Sequence, residues 1–161
     1  MTSFLEEAYF YDSFSHFIST TKILKNTQIK NQYLELLSYL TKVEPMSNED
    51  FLSKIDEISR HGEIILCYCI KDNIITFVGS GTIFIEPKLI RGTRSVGHIE
   101  DIVVHPLYRG KGMANKIVES LMDYARINNC YKTILDCDPV IKKVYEKAGM
   151  KEKGIQMAHY L

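Results

Sequence analysis

The sequence predicts a single mixed α/β domain of the α+β type. Two amphipathic helical patterns lie in the first 60 residues, an apolar strand region follows, and the last third alternates between helix and strand. The chain has 161 residues, of which 45% are hydrophobic and 25% charged, which suits one soluble globular domain. We therefore expect residues 1–161 to form one domain with a mixed central sheet flanked by helices.

Helices are the first elements that the pattern defines. Residues 1–28 carry aromatic side chains at mixed spacing and favour neither strand nor helix. Residues 30–41 place a tyrosine and three leucines on one helical face. A second helix begins after Ser47, which is expected to cap it while Asp50 reaches back. The apolar stripe of this helix consists of Phe51, Ile55 and Ile58.

A group of strands follows the helices. Long apolar runs separated by turn residues are typical of paired, buried strands. The glycines at 79 and 81 predict a β-bulge or a close packing contact inside one of them. In order, the pattern predicts a strand over 64–70, a turn at 72–73, a strand over 74–84, a loop over 87–94 and a strand over 96–104.

The final third of the chain alternates helix and strand. In its first helix, Ile117, Leu121 and Ala125 recur on one face, which we expect to pack on the sheet. Gly149 is expected to end the second helix. The predicted elements are a helix over 110–128, a strand over 132–136, a helix over 139–147 and a terminal strand over 155–161.

The charges balance overall but not locally. Twenty basic residues face twenty acidic ones, which excludes a strongly basic nucleic-acid-binding arm and an acidic tail. Residues 86–116 nevertheless carry six basic and three acidic residues, a net charge of +3. This excess predicts that an anionic ligand binds in the middle of the chain. We expect neither a nucleic acid nor a membrane as partner, since no apolar run reaches the roughly 18 residues of a membrane span.

The cysteines and the N-terminal sequence favour a cytoplasmic protein. Four cysteines are too few to act as a disulfide scaffold, and their spacing matches neither a zinc site nor a redox motif. Cys67 and Cys69 alternate along a predicted strand and should point the same way. The segment MTSFLEEAYFYD lacks the basic and apolar regions of a signal peptide. We therefore expect reduced cysteines, no metal and a cytoplasmic location.

The most informative segment is GHIEDIVVHPLYRGKGMA, residues 97–114. An apolar strand runs into a glycine-containing turn that opens an amphipathic helix. Such a turn exposes free backbone N–H groups at the positive end of the helix dipole, which is typical of a pyrophosphate site. Gly110 and Gly112 allow a phosphate to approach the backbone, and Arg109 and Lys111 add positive charge. The spacing matches neither a P-loop nor a dinucleotide-binding loop, so an ordinary strand-to-helix turn is the alternative.

The segment also resembles a known superfamily. Residues 109–114 match the [RQ]-x-x-G-x-[GA] motif of the Gcn5-related N-acetyltransferases, after a V-x-P-x-Y-R entry at 104–109. Within that superfamily, GHIEDIVV (97–104), CYKTILDCD (130–138) and VYEKAGM (144–150) resemble the glucosamine-6-phosphate N-acetyltransferases. The resemblance implies a single-domain acetyltransferase fold with splayed strands in its mixed sheet.

This resemblance implies an activity and leaves two alternatives open. The implied reaction transfers acetyl from acetyl-CoA to the 2-amine of glucosamine 6-phosphate, a step toward UDP-N-acetylglucosamine. The alternatives are a transferase of the same fold that acts on a protein or another small amine, and a non-catalytic acyl-CoA-binding module. The family further implies a homodimer with the site near the subunit interface.

Individual residues take roles from the resemblance. Tyr145 would assist the leaving thiolate, Asp136 would lie at the amine, and Glu100 would be a third catalytic residue at the sugar-binding site. Because neighbouring strand residues point to opposite faces, we expect one of Glu100 and Asp101 to face the site. The implied cofactor contacts are Ile102, Val103, Val104, Arg109, Gly110, Lys111, Gly112, Met113, Ala114, Asn115 and Tyr145. The implied substrate contacts are Thr41, Lys88, Leu89, Ile90, Arg91, Glu100, Asp101, Tyr131, Lys132 and Asp136.

Two positions depart from the family pattern. Family members often carry an arginine near the C-terminus that reaches the sugar phosphate from the partner subunit, and residues 157–161 contain none. His159 and Tyr160 are the candidates to replace it. An asparagine that contacts CoA before the tyrosine-bearing helix is Ile141 here.

Overall fold

The computed structural model describes residues 9–11, 15–19, 26–71 and 74–161. The predicted turn at 72–73 lies outside the described residues. Short 3-10 turns precede three of the elements, at Thr27–Ile29, Pro106–Tyr108 and Pro139–Ile141. The strands and α-helices are β1 (Tyr9–Tyr11), β2 (Ser15–Ser19), α1 (Lys30–Ser38), α2 (Asn48–His61), β3 (Gly62–Lys71), β4 (Ile74–Glu86), β5 (Ser95–Val104), α3 (Met113–Ile127), β6 (Cys130–Ile134) and α4 (Lys142–Lys147).

The described strands form one mixed sheet in the order β1 to β6. Neighbouring strands run antiparallel from β1 through β5, and β6 joins β5 in parallel. A parallel pair needs a crossover connection, which α3 supplies. The prediction of a mixed sheet flanked by helices is therefore confirmed, and β1 and β2 lie in the segment for which the sequence favoured neither strand nor helix.

Helices cover the sheet on both faces. Along β3, Ile65 and Cys67 belong to the core under α3, whereas Ile64 and Leu66 belong to the core under α1 and α2. This division follows from the alternation of side chains along a strand. The predicted faces of the helices are confirmed: Ile117, Leu121 and Ala125 of α3 are buried, as are Phe51 and Ile55 of α2.

Helix α2 begins at the predicted cap. The Ser47 side chain accepts a hydrogen bond from the Asp50 backbone N–H (3.0 Å) and donates one to the Asp50 carboxylate (2.7 Å). These bonds satisfy one free N–H of the first turn and place a negative charge at the positive end of the helix. Among the described residues, no helix is long and apolar enough to cross a membrane.

Several element boundaries differ from the sequence prediction. Helix α3 begins at Met113 and not at residue 110, because Gly110 and Gly112 take left-handed φ values of 75° and 77°. Strand β6 begins two residues earlier than expected, and α1 ends at Ser38. The predicted helix over 139–147 is a 3-10 turn followed by the short α4, and Asp138 caps that turn by accepting from the Val140 N–H (2.8 Å).

The prediction of a terminal strand over 155–161 is wrong for the described chain. These residues have no strand conformation, and Ile155, Met157 and Tyr160 are each more than 90% exposed. An apolar, extended segment becomes a strand only where its N–H and C=O groups pair with a neighbour. No described strand pairs with this segment, so its apolar side chains remain in solvent.

Candidate active site

Strands β5 and β6 diverge after a short paired stretch. Their pairing covers only Ser95–His98 of β5 and Cys130–Ile134 of β6. Further along, β5 remains paired with β4 on its other edge, up to Val104. The edge of residues 99–104 that faces away from β4 has no partner among the described strands. This gap exposes backbone groups with which an extended ligand can pair as an added strand.

A β-bulge lies in β5 where the gap opens. Ser80 pairs with Val103 and Thr82 with Glu100, so two residues of β5, Asp101 and Ile102, oppose one residue of β4. Asp101 has a left-handed φ of 53°. The extra residue breaks the alternation of side chains, and Glu100 and Asp101 are both exposed. The expectation that one of Glu100 and Asp101 faces the site assumed regular alternation, which the bulge interrupts, and it stays a prediction.

The two glycines predicted to mark a bulge or close packing lie opposite this feature. A side chain at Gly81 would place its first carbon 2.5 Å from Ile102 and 2.7 Å from Ile117. At Gly79 the corresponding distance to Ile117 is 2.8 Å. Both alternatives that the sequence left open are present, since Val78 of β4 is an extra residue beside Gly79 in the pairing with β3, and α3 packs closely on both glycines.

Carboxylates gather at the narrow end of the gap, where β5 and β6 separate. Although Glu100 is exposed as a residue, partial desolvation of its carboxyl group raises its pKa, and the negative charges of Asp101 and Asp136 raise that pKa further, while His98 opposes the change. Asp136 accepts a hydrogen bond from the Gln156 side-chain amide (2.9 Å). A carboxylate with a raised pKa is a better proton acceptor for an amine near neutral pH. Among the described residues, no group of three or more His, Cys, Asp and Glu side chains is placed to hold a metal ion.

The turn between β5 and α3 forms the other end of the site. Gly112 caps α3 without a side-chain hydrogen bond, and the first helical bond runs from the Lys116 N–H to the Gly112 carbonyl (3.2 Å). The N–H groups of residues 113–115 therefore point out of the helix end, where the dipole favours an anion. Arg109 is tied to β5, because its Nε donates to the Val104 carbonyl (3.0 Å).

Tyr145 lies on α4 and packs against the core under α3, half-buried. Burial raises the pKa of its phenol, and the nearby Cys137 raises that pKa further. The phenol is therefore protonated at neutral pH and available as a proton donor. The backbone carbonyl of Tyr145 accepts from the Met150 N–H (3.1 Å), and Gly149 ends the helix with a φ of 84°, as predicted.

The loop between β4 and β5 begins with a charged network. One carboxylate oxygen of Glu86 pairs with the Lys88 ammonium, and the other lies 2.7 Å from His98 Nε2. Both partners lower the pKa of Glu86, Lys88 more than His98. Leu89 and Ile90, the next two residues of the loop, are 96% and 62% exposed. The loop therefore presents a fixed cation beside two uncovered apolar side chains.

A second group of cations surrounds Tyr131 on β6. The Arg91 guanidinium lies 5.8 Å from the centre of the Tyr131 ring, and the Lys132 ammonium lies 5.7 Å from it. Both distances suit cation–π contacts. Arg94 ties the same loop to β6, since its guanidinium donates to the Cys130 carbonyl (2.9 Å). Three of the predicted substrate residues are thus brought together although the sequence separates them by up to 41 positions.

One more predicted substrate residue, Thr41, lies in a different part of the fold. Thr41 follows α1, is exposed, and donates its backbone N–H to the Leu37 carbonyl (3.3 Å). Nearby, the Tyr39 ring meets His105 edge-on, with 4.8 Å between the ring centres. Sequence reasoning missed Glu86 and His98, and it missed a contact of Cys69 with Tyr108 (3.1 Å). The one indication of that contact in the sequence was the spacing of Cys67 and Cys69, which predicts that both side chains lie on the same face of their strand.

Comparison with known proteins assigns the chain to a family. The family model described as "Acetyltransferase (GNAT) family" matches residues 29–150. The chain belongs to this family. GNAT members are acetyl-CoA-dependent transferases, which confirms the resemblance and the prediction of an acetyl-CoA-dependent N-acetyltransferase.

Curated relatives and solved structures extend the GNAT assignment. A glucosamine 6-phosphate N-acetyltransferase of Candida albicans is 42% identical over 138 residues, covering 86% of this chain and 93% of the relative. One from Arabidopsis thaliana is 39% identical over 129 residues, covering 80% and 87%. The crystal structure of glucosamine-6-phosphate N-acetyltransferase from Arabidopsis thaliana matches with a TM-score of 0.79 and 33% identity, covering 91% of this chain and 97% of that one. The predicted similarity to this group of GNAT enzymes is confirmed.

Proposed function

We propose that the protein transfers the acetyl group of acetyl-CoA to the 2-amine of glucosamine 6-phosphate. The products are N-acetylglucosamine 6-phosphate and CoA, and the first would supply UDP-N-acetylglucosamine synthesis. The gap between β5 and β6 carries this proposal, because it joins a diphosphate-binding turn at one end to carboxylates at the other. Relatives that bear this enzyme name at 42% and 39% identity support the choice of amine.

In this proposal acetyl-CoA lies along the open edge of β5. Its pantetheine amides pair with the backbone of Ile102, Val103 and Val104, while its diphosphate accepts from the N–H groups at the start of α3. Main-chain groups make most of these contacts, so the side chains of β5 remain free to pack in the core. The contacts to the diphosphate come from Arg109, Gly110, Lys111, Gly112, Met113, Ala114 and Asn115.

The acetyl transfer follows from the groups at the narrow end of the gap. Glu100 and Asp136 attract the ammonium form of the sugar and orient it, and its proton leaves to a carboxylate or to water. The free amine attacks the thioester carbon, so a C–N bond forms and the C–S bond breaks. A backbone N–H of the splayed strand stabilises the oxyanion. Tyr145 then donates its phenolic proton to the departing thiolate.

Cations near the starts of β5 and β6 would hold the 6-phosphate. Lys88 and Arg91 lie in the loop before β5, and Lys132 shares the Tyr131 ring with Arg91. Leu89 and Ile90 would cover the sugar from the same loop, and Thr41 and Asp101 would contact its hydroxyl groups. We place the reaction in the cytoplasm, because the four cysteines are free and suit a reducing compartment.

Steady-state kinetics with three acceptors tests the proposed reaction. We expect release of CoA from acetyl-CoA to depend on glucosamine 6-phosphate, and kcat/KM for unphosphorylated glucosamine to be about 100-fold lower, because two charge-assisted contacts to the phosphate are lost. A lysine-containing peptide serves as the third acceptor. Turnover with the peptide alone would favour the alternative transferase, and CoA binding without turnover on any amine would favour the non-catalytic module.

We also propose that the protein is a homodimer built through its C-terminal segment. Residues 155–161 leave apolar side chains in solvent, and single chains rarely expose such a run without a partner. A second copy would cover these apolar side chains. The partner subunit would then bring His159 or Tyr160 to the phosphate, in place of the arginine of related enzymes.

Deletion of residues 155–161 is expected to convert the dimer to a monomer. Light scattering coupled to size-exclusion chromatography would report a mass near twice 18.6 kDa for the full chain and half that mass for the truncated one. A matched control replaces Ile127, an equally uncovered apolar residue at the end of α3, with serine and should remain dimeric. A full-length chain that elutes as a monomer at assay concentration would contradict the proposal.

A further inference from the structure

Two thiols of β3 contact the two ends of the glycine turn. The Sγ of Cys69 lies 3.1 Å from the hydroxyl of Tyr108, and the Sγ of Cys67 lies 2.9 Å from the sulfur of Met113. Tyr108 ends the 3-10 turn before the glycines, and Met113 is the first residue of α3. Since residues two apart on a strand share a face, β3 reaches across β4 to both sides of residues 109–112.

The glycines themselves do not hold the turn in place. A first side-chain carbon built on Gly110 or Gly112 would meet no atom within 4 Å. Both residues have left-handed φ values, a conformation that the glycine backbone adopts without a steric penalty but also leaves readily. The direction of the N–H groups must therefore be set by the residues that flank the glycines.

Tyr108 is the flanking residue whose side chain contacts both β3 and the turn itself. Its ring packs, partly buried, against the core under α3. The Lys111 ammonium lies 5.2 Å from the ring centre, which suits a cation–π contact. On its other side the ring meets His105 edge-on at 5.7 Å. The hydrogen bond with Cys69 raises the pKa of Tyr108, so the phenol is protonated and the bond persists at neutral pH.

We propose that Tyr108, held by the thiol of Cys69, is a positioning residue for the diphosphate of CoA. It fixes the glycine turn from β3 and holds the Lys111 ammonium on the same side as the free N–H groups of α3. An unmodified Cys69 thiol would thereby influence the affinity of the protein for CoA without contacting CoA itself. The inference rests on the proposed binding of CoA at this turn.

Replacing Tyr108 with phenylalanine keeps the ring and removes the hydroxyl. We expect KM for acetyl-CoA to rise about fivefold, the effect of losing one ordinary hydrogen bond, while kcat and KM for the amine change less than twofold. The Cys69→Ala variant should show the same rise, and the double variant should show no more than either one, because both changes remove the same bond. Tyr124→Phe is the matched control, a half-buried tyrosine at the far end of α3.

A shorter acetyl donor separates positioning from general damage to the fold. S-acetyl-pantetheine carries the thioester and the amides of acetyl-CoA but has no diphosphate, so Tyr108→Phe should leave its kcat/KM unchanged. An equal loss with both donors would overturn the proposal, as would additive effects of Tyr108→Phe and Cys69→Ala.

Calorimetric titration with CoA measures binding of the cofactor without an acceptor, so this test of Tyr108 does not depend on which amine is the substrate. A fivefold weaker binding of CoA by Tyr108→Phe, with unchanged binding of pantetheine, would support the proposal even if glucosamine 6-phosphate were not acetylated. In that case only the proposed acceptor would be wrong. Equal affinity of the wild-type protein for CoA and pantetheine would overturn the diphosphate site and the role of Tyr108 together.

Discussion

Tyr145→Phe is expected to lower kcat for glucosamine 6-phosphate about 100-fold. The variant keeps the half-buried ring that packs under α3 and removes only the phenolic proton, and proton donation to a leaving group is typically worth a factor of 10² or more. KM for acetyl-CoA should change less than twofold, because the backbone contacts of the cofactor remain. Initial rates at saturating concentrations of both substrates measure the effect.

The control for this variant is Tyr124→Phe. Burial raises the pKa of Tyr124 as it does that of Tyr145, and both tyrosines pack against the same core. A residue at the far end of α3 should nevertheless leave kcat unchanged. A Tyr145→Phe variant with the kcat of the wild type would show that the thiolate leaves without the phenol.

The raised pKa of Tyr145 also determines the pH dependence of this step. The phenol acts as an acid only while it is protonated, and burial moves its pKa above the ordinary value of 10.0. Its protonated form therefore persists throughout the range from pH 7 to 9, and wild-type kcat should not fall there through ionisation of Tyr145. A decrease of kcat below pH 9 that disappears in Tyr145→Phe would contradict the direction of this shift.

Gly81→Val is expected to destabilise the fold by about 3 kcal/mol, the upper end of the usual range for an overpacked core. The first side-chain carbon would already lie 2.5 Å from Ile102, 2.7 Å from Ile117 and 2.9 Å from Leu121. For a chain of this size, thermal unfolding should then occur roughly 10 °C lower. Differential scanning calorimetry without ligand measures the shift.

A matched variant isolates crowding from the general effect of replacing glycine. Gly154 lies in the exposed C-terminal segment, where a side chain would meet no atom within 4 Å. Gly154→Val should therefore leave the unfolding temperature within about 1 °C of the wild type, the range of ordinary surface substitutions. If the two variants unfold at the same temperature, α3 and β5 must shift to accommodate the new side chain with little loss in the free energy of unfolding.

Local patterns explain which parts of the fold the sequence predicted. The cap at Ser47 and the apolar stripes of α2 and α3 are set by residues within a few positions of one another, and the structure confirms them. The bulge at Asp101 depends on the register between two strands. The glycines of β4 could suggest a bulge, but nothing local indicated that the extra residue lies in β5.

The same distinction applies to the candidate site. Gly110 and Gly112 mark the proposed anion-binding turn because their spacing is local, whereas Tyr145 and Asp136 were assigned through the resemblance to a family. The Cys69 and Tyr108 contact joins residues 39 positions apart, and no periodicity connects them. The prediction of a terminal strand over 155–161 was wrong for the opposite reason. An apolar pattern was present, but no described strand pairs with this segment.

The divergence of β5 from β6 has a consequence for how this protein can change over evolutionary time. In the proposed site, recognition of the cofactor would rely on main-chain groups, which every residue except proline provides in full, so the open edge would tolerate replacement of one apolar residue by another. Recognition of the sugar phosphate would rely on side chains, with Glu100 near the amine and Arg91 and Lys132 at the phosphate. A few substitutions at that end would redirect the enzyme to a different acceptor while the acetyl donor stayed the same.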